Sequence, residues 1–166
     1  MIGPGLFAAA VLTAVLATCN PTAAEAQLKL LEPERAFAFS AQAVDEKTVE
    51  ARFAIASGYY LYREKLKFSV EPAVLASAPA LPTGQVKNDE FFGKVETYRG
   101  RIAVRLPLEG LPAGSKVTIK AESQGCADAG VCYPPQIQNL TVELPLPGAR
   151  PGPAVAATPP KKSWFN

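Results

Sequence analysis

Apolar and polar residues alternate with a period of two along much of the chain. Phe37, Phe39, Ala41 and Ala43 share one face; Val49, Ala51, Phe53 and Ile55 share another, with Glu50 and Arg52 opposite. Further on, Ile102, Val104, Leu106 and Leu108 alternate with Arg101, Ala103, Arg105 and Pro107. The same rhythm sets Val117, Ile119 and Ala121 against Lys116, Thr118 and Lys120, and Leu140, Val142, Leu144 and Leu146 against Asn139, Thr141 and Glu143. Successive side chains of a strand point to opposite sides of its sheet, so each run predicts a strand with one face on a core and one in water. Shorter strands are predicted at 59–62, 67–70 and 96–98, with turns at 45–47, 57–58, 81–84 and 110–114. A helical turn is expected only over 72–80, where flanking prolines keep it short. Seven or eight short strands broken by frequent turns predict an all-β, antiparallel β-sandwich.

Composition fits this reading. Sixteen prolines and 12 glycines favour turns over long helices, and 48% hydrophobic residues in a chain of 166 are ample for one core. The chain holds 17 basic and 15 acidic residues and no histidine. A net charge of +2 is too mild to argue for nucleic acid. Without histidine there is no Ser-His-Asp triad, Cys-His pair, His-ligated zinc or His-ligated haem.

Residues 1–26 read as a signal peptide: an apolar core from Leu6 to Ala17, then a small-residue stretch ending Ala24-Glu25-Ala26. The front end departs from the usual pattern, since no Lys or Arg precedes the apolar run. That run of about 12 residues is short of the ~20 needed to span a bilayer. Cleavage after Ala26 leaves 17 basic and 14 acidic residues, a net +3. Leu16-Ala17-Thr18-Cys19 offers lipidation at Cys19 as a lesser alternative, with Thr18 a poor residue before such a cysteine. Otherwise Cys19 leaves with the signal, and the mature chain keeps two cysteines, Cys126 and Cys132. An even pair in an exported protein implies a disulfide-permissive compartment. From 147 to 166 the chain turns Pro-rich and reads as a linker or disordered tail; Trp164 and Phe165 near its end stand out as a possible docking element.

Chemistry concentrates in Gln124-Gly125-Cys126-Ala127-Asp128-Ala129-Gly130-Val131-Cys132-Tyr133-Pro134-Pro135. Asp128-Ala129-Gly130 favours a turn, and a hairpin there would bring the two sulfurs within bridging reach. In the loop-entropy treatment so small a ring contributes about 2.4 kcal/mol, against ~4.7 for a ring of a hundred residues. Spacing alone leaves two readings open, a structural staple and an exchangeable redox pair.

The cysteine stretch, together with Gly58-Tyr59-Tyr60-Leu61-Tyr62-Arg63 and Asp89-Glu90-Phe91-Phe92-Gly93, resembles the N-terminal periplasmic domain of DsbD, a bacterial carrier of reducing equivalents across the inner membrane. The likeness spans about residues 30–146, with three motifs in the family's order. It implies an immunoglobulin-like fold over 27–146 and a periplasmic location. It also implies a redox role for Cys126 and Cys132, which would accept electrons from a thioredoxin-like donor. That donor would be a separate domain or part of a DsbD-type membrane transporter. The acceptors implied are a periplasmic disulfide isomerase such as DsbC and the thioredoxin of cytochrome c maturation. No cofactor is needed, because thiol–disulfide exchange requires only a thiolate in line with an accessible sulfur.

The resemblance further implies that the 89–93 segment is a cap whose Phe91 shields the disulfide, that Tyr60 and Tyr62 lie beside the cysteines, and that Asp89 and Glu90 are close by. Phe92 stands where the family carries tyrosine, a change that should leave the lid intact. Without the resemblance, Phe91 reads as a core residue, the tyrosines as strand packing, and Asp89 and Glu90 as a solvated loop. The analogy places Cys132 deeper and makes Cys126 the mixed-disulfide partner. The chain contains no thioredoxin-type Cys-x-x-Cys and no membrane domain, so it is expected to be a stand-alone homologue or a fragment.

Two other functions compete. One is a non-catalytic immunoglobulin-like binding or chaperone domain with a structural disulfide. A bridge with a potential below about −300 mV behaves as a staple, whereas one near −230 mV exchanges. The other is a metal carrier, for which two sulfurs make a poor soft-metal site.

Overall fold

The computed structural model describes residues 30–72, 74–90 and 92–157. The signal segment, Cys19, Phe91, Trp164 and Phe165 lie outside the described residues. In chain order the elements are α1 (Pro33–Ala36), β1 (Phe37–Asp45), β2 (Thr48–Ile55), β3 (Tyr59–Tyr62), β4 (Lys67–Glu71), β5 (Val74–Leu75), β6 (Gln85–Asp89), β7 (Gly93–Tyr98), β8 (Arg101–Glu109), β9 (Lys116–Ser123), β10 (Gly125–Ala127), β11 (Gln136–Glu143) and β12 (Val155–Ala156). A 3-10 turn (Arg63–Lys65) follows β3.

Among the described residues all strand pairs are antiparallel and form three sheets, ordered β12-β1-β2-β8-β5, β10-β3-β7-β6 and β11-β9-β4. The period-two residues set the registers. Phe39 faces Phe53 and Ala51 faces Val104 in the first sheet, while Ile119 faces both Leu140 and Val70 in the third. Phe37, Phe39, Phe53, Val104 and Leu106 from one side and Val117, Ile119 and Leu144 from the other are almost wholly buried in a single core cluster. Burying each such side chain contributes roughly 1.5–3 kcal/mol. The sheet sandwich expected from the alternation is therefore the architecture observed.

One strand belongs to two cores. All four residues of β3 are buried: Tyr59 and Leu61 join the main core, while Tyr60 and Tyr62 point the other way into a small cluster with Val95 and Cys126. Tyr59 is anchored in turn. Its ring stands edge-on to Phe37 at 6.0 Å, and Phe37 stands edge-on to Tyr133 at 5.6 Å. The Leu31 N–H donates to Tyr59 Oη (2.9 Å) and Tyr133 Oη donates to the Leu31 carbonyl (2.6 Å). This trio ties the chain entry, β3 and the far end of the cysteine segment into one rigid corner.

Two expectations are corrected. Among its described residues the 72–80 segment forms no helical turn, and a helical turn lies instead at Pro33–Ala36; Val74 and Leu75 pair with Glu109 and Leu108 as β5, and the Ala76 N–H donates to the Pro107 carbonyl. Prolines at 72, 79 and 82 deny it a helical ladder, and the free edge of β8 satisfies its backbone instead. The stretch after 147 is not wholly a linker or tail: Val155 and Ala156 pair with Ala41 and Ser40, and the Ala157 N–H donates to the Phe39 carbonyl. An edge strand such as β1 offers unpaired backbone groups, and this segment covers them.

Candidate active site

The site is built on β10 and its return arm. Cys126, in the middle of β10, pairs with Tyr60 of β3, and Gly125 pairs with Leu61. Only glycine fits at 125: a Cβ there would lie 2.2 Å from the Tyr60 carbonyl oxygen and 2.7 Å from the Phe37 ring. The chain then turns through Asp128, Ala129 and Gly130, with Gly130 at φ +82°, a conformation that favours glycine. It returns with the Ala127 N–H bonded to the Val131 carbonyl (2.8 Å) and the Tyr133 N–H bonded to the Gly125 carbonyl (2.9 Å). Cys132 thus comes to rest opposite Cys126, and the two are joined as a disulfide.

The two sulfurs are unequal. Cys126 is 0% exposed, sealed by β3, whereas Cys132, on the outer arm, is only partly buried. A cavity of about 220 Å³ opens beside Cys132, walled by Tyr60, Lys87, Asp89, Glu90 and Asp128. This reverses the order expected from the analogy. Cys132 is the accessible sulfur, because Cys126 occupies the paired inner strand and Cys132 the outer bridge.

Beside both sulfurs lies a polar network. Tyr62 Oη is 3.1 Å from Cys126 Sγ and 3.9 Å from Cys132 Sγ, and it donates to Asp89 Oδ2 at 2.9 Å. Tyr60 Oη donates to the same oxygen at 3.0 Å and accepts from Lys87 Nζ at 2.6 Å. The Asp89 side chain is 1% exposed and is compensated by Lys87 Nζ at 3.2 Å. The Phe92 N–H donates to its other oxygen at 3.3 Å. A buried carboxylate persists when it is hydrogen-bonded and paired in this way. Burial, with Tyr60 and Asp89 alongside, raises the Tyr62 phenol well above its ordinary pKa and keeps its proton in place. Burial alone would lower Lys87, but its bonds to Tyr60 and Asp89 outweigh that and raise it.

Phe92 and Glu90 flank this network. The Phe92 ring stands edge-on to Tyr62 at 5.0 Å with Lys65 Nζ 4.9 Å above it, and remains 45% exposed. Glu90 is exposed at the tip of the tight connection between β6 and β7.

These features permit one kind of chemistry. A thiolate entering the cavity beside Cys132 would attack that sulfur, and the S–S electron pair would depart with Cys126. There a phenol proton waits 3.1 Å away to bond the new thiolate. No histidine base is required, because the attacking group arrives already ionised. Among the described residues there is no cluster of three or more acidic or cysteine side chains able to hold a metal ion.

Residues 27–144 match the family described as "Thiol:disulfide interchange protein DsbD, N-terminal". The chain belongs to this family. Over 127 residues it is 48% identical to the thiol:disulfide interchange protein DsbD of Ralstonia nicotianae, covering 73% of this chain and 21% of that protein. DsbD 2 of Pseudomonas aeruginosa is 41% identical over 133 residues, covering 80% of this chain and 20% of that protein. The chain therefore spans about a fifth of the curated relatives it matches. In structure it resembles the reduced DsbD N-terminal domain of Neisseria meningitidis, with TM-score 0.65 and 33% identity over 78% of this chain and 96% of that one. It also resembles the DsbD N-terminal domain in complex with the PilB N-terminal domain from Neisseria meningitidis, with TM-score 0.57 and 38% identity over 68% of this chain and 86% of that one. The fold is accordingly the immunoglobulin-like sandwich of DsbD N-terminal domains.

The structure brings Tyr60, Tyr62, Asp89, Cys126 and Cys132 together, with Phe92 against Tyr62 and Glu90 on the cavity wall. Lys87, Arg99 and Asp128 were not among the expected site residues. Lys87 shares a strand face with Asp89, two residues on, but Gln85-Val86-Lys87-Asn88-Asp89 carries a single apolar residue and does not read as a strand. Arg99 has no sequence signal; only folding carries it to Asp128.

Proposed function

We propose that this chain is a periplasmic thiol–disulfide interchange module, a protein-disulfide reductase component that relays electrons through Cys126 and Cys132. The observation that carries this reading is the unequal burial of the two sulfurs over the Tyr62 hydroxyl. A donor thiolate attacks Cys132 Sγ and forms a mixed disulfide while Cys126 leaves as a thiolate. The donor's second thiolate then attacks its own bridged sulfur, closes the donor's disulfide and releases Cys132. Two electrons enter the pair, and the reverse sequence passes them to an oxidised acceptor.

The donor in this reading is a thioredoxin-like domain, free or part of a DsbD-type membrane transporter. A disulfide isomerase or the thioredoxin of cytochrome c maturation accepts the electrons. The complex of the Neisseria DsbD N-terminal domain with the PilB N-terminal domain supports a thioredoxin-like protein partner. Export and cleavage after Ala26, placing the module in the periplasm, rest on the signal-like sequence. The lid role of Phe91 rests on the resemblance alone.

Trapping tests the reading. Cys126→Ala, with its Cys132 first converted to the mixed disulfide with thionitrobenzoate, is expected to exchange with the single attacking cysteine of a thioredoxin-like donor, forming the protein–protein disulfide and releasing thionitrobenzoate. Mass spectrometry of the non-reduced adduct reads the result. Absence of any adduct with either single-cysteine form would overturn the relay.

A further inference from the structure

Arg99 lies between β7 and β8, away from both sulfurs in sequence, yet it reaches the turn that joins them. Its Nη1 and Nη2 donate to Asp128 Oδ2 and Oδ1 at 3.0 and 2.6 Å, a two-pronged pair on the first residue of that turn. The guanidinium is itself held from behind, with Nη1 donating to the Tyr59 carbonyl at 3.3 Å and Cζ 5.1 Å from the centre of the Tyr60 ring. The Asp128 N–H also donates to the Gly58 carbonyl at 2.8 Å. Both anchors of Arg99 belong to β3, the strand that fixes Cys126.

The two cysteine arms are held differently. Cys126 sits in a strand paired to β3 and is wholly buried, restraints that do not involve the bridge. Cys132 is on the outer arm, held by the bridge, by two backbone bonds to β10, by Tyr133 in the aromatic corner on its far side and, on its near side, by whatever fixes the turn. Opening the bridge removes the covalent restraint. The Arg99–Asp128 fork does not depend on it.

We propose that Arg99 is a positioning residue for the redox pair: by fastening Asp128 to β3 it keeps the Cys132 arm over Cys126 in the reduced protein, and so raises the effective concentration of one thiol at the other. Closing a disulfide between two thiols already in place forfeits less chain freedom than closing one between a fixed and a wandering thiol. The fork therefore favours the closed bridge and makes the pair a stronger reductant. Planar, two-pronged Arg–carboxylate geometry suits this task better than a single contact would. The pair is about half exposed, at 38% and 49% of the side chains, so solvent screening keeps its effect modest.

The proposal rests on the reading that the bridge opens and recloses, and the experiment separates the two. Oxidised protein is equilibrated with glutathione buffers: the protein disulfide plus two glutathione thiols gives the protein dithiol plus glutathione disulfide. If the unsubstituted protein is not reduced by glutathione or by a thioredoxin dithiol, it is the relay reading that fails. If it titrates, Arg99→Ala and Asp128→Asn are each expected to raise the equilibrium constant for reduction about fivefold, a shift of roughly 20 mV towards easier reduction at about 30 mV per tenfold change. The double variant is expected to shift no further than either single one, since each removes the same contact. A merely structural pair would lower thermal stability in both redox states alike and leave the potential where it was. An unchanged potential in Arg99→Ala, or two single effects that simply add, overturns the proposal.

Discussion

The hydroxyl of Tyr62 lies 3.1 Å from the buried sulfur of Cys126 and 3.9 Å from that of Cys132. Its proton has two claimants, the Asp89 carboxylate at 2.9 Å and the sulfur. While the bridge is closed the carboxylate is the stronger acceptor. Once Cys126 becomes a thiolate, the sulfur carries a full charge and competes for the same proton. Charge-assisted hydrogen bonds are about twice as strong as neutral ones, so the network can move its donor without moving its atoms.

Tyr62→Phe removes that donor and keeps the ring that packs against Phe92 and Tyr60. Reduction by a dithiol partner is expected to slow at least roughly tenfold, because the buried leaving thiolate loses a charge-assisted bond worth about 1.5–3 kcal/mol. Stopped-flow measurement of the reduction rate checks this; a rate equal to that of the unsubstituted protein would remove Tyr62 from the chemistry.

The burial difference predicts unequal thiols. With Cys126→Ala, the remaining Cys132 should alkylate with iodoacetamide at least about tenfold faster than the remaining Cys126 does in Cys132→Ala, since reactivity follows access as well as ionisation. Mass-resolved labelling time courses decide it, and equal rates would contradict the arrangement of inner and outer arms.

Two glycines of the cysteine segment should respond differently to alanine. Gly125→Ala forces a Cβ to 2.2 Å from the Tyr60 carbonyl and should cost roughly 3 kcal/mol or more, because backbone and a core ring must both shift. Gly130→Ala meets no atom within 4 Å and carries only the strain of positive φ, about 1 kcal/mol. Urea unfolding of the oxidised proteins ranks them, and a Gly125 variant no less stable than the Gly130 variant would refute the close packing of β10 on β3.

Acid should dissolve the Arg99–Asp128 contribution. The Arg99 guanidinium holds the Asp128 carboxyl below its usual 3.8. A depressed folded-state pKa gives stability that is complete above the ordinary carboxylate value and is lost as pH falls through the lowered one. The difference in melting temperature between the unsubstituted protein and Arg99→Ala is therefore expected to be constant from pH 5 to 7 and to shrink below about pH 4. A difference that persists undiminished once Asp128 is protonated would assign Arg99's effect to Tyr59 and Tyr60 instead.

Much of the sandwich was legible because its strands carry one apolar face each. Phe37 to Ala43, Val49 to Ile55 and Val117 to Ala121 alternate without interruption, and burial follows the alternation. The strands missed are those whose reason for being strands lies elsewhere in the molecule. β5 and β12 exist because β8 and β1 have edges to cover, and β6 because β7 needs a partner. The cysteine pair, its turn and the tyrosines were visible as motifs, whereas Lys87 and Arg99 look like ordinary surface cations until folded.

By itself, the sequence determined the fold class, the disulfide-capable pair and the absence of histidine chemistry, since periodicity and residue type act locally and need no partner. Tertiary structure alone decided which sulfur meets solvent, which phenol stands beside the other, and which cation grips the turn between them. Exposure, hydrogen-bond reach and charge pairing depend on what β3 and the β6–β7 hairpin bring alongside the cysteines, and no local pattern in the 124–135 segment encodes those neighbours.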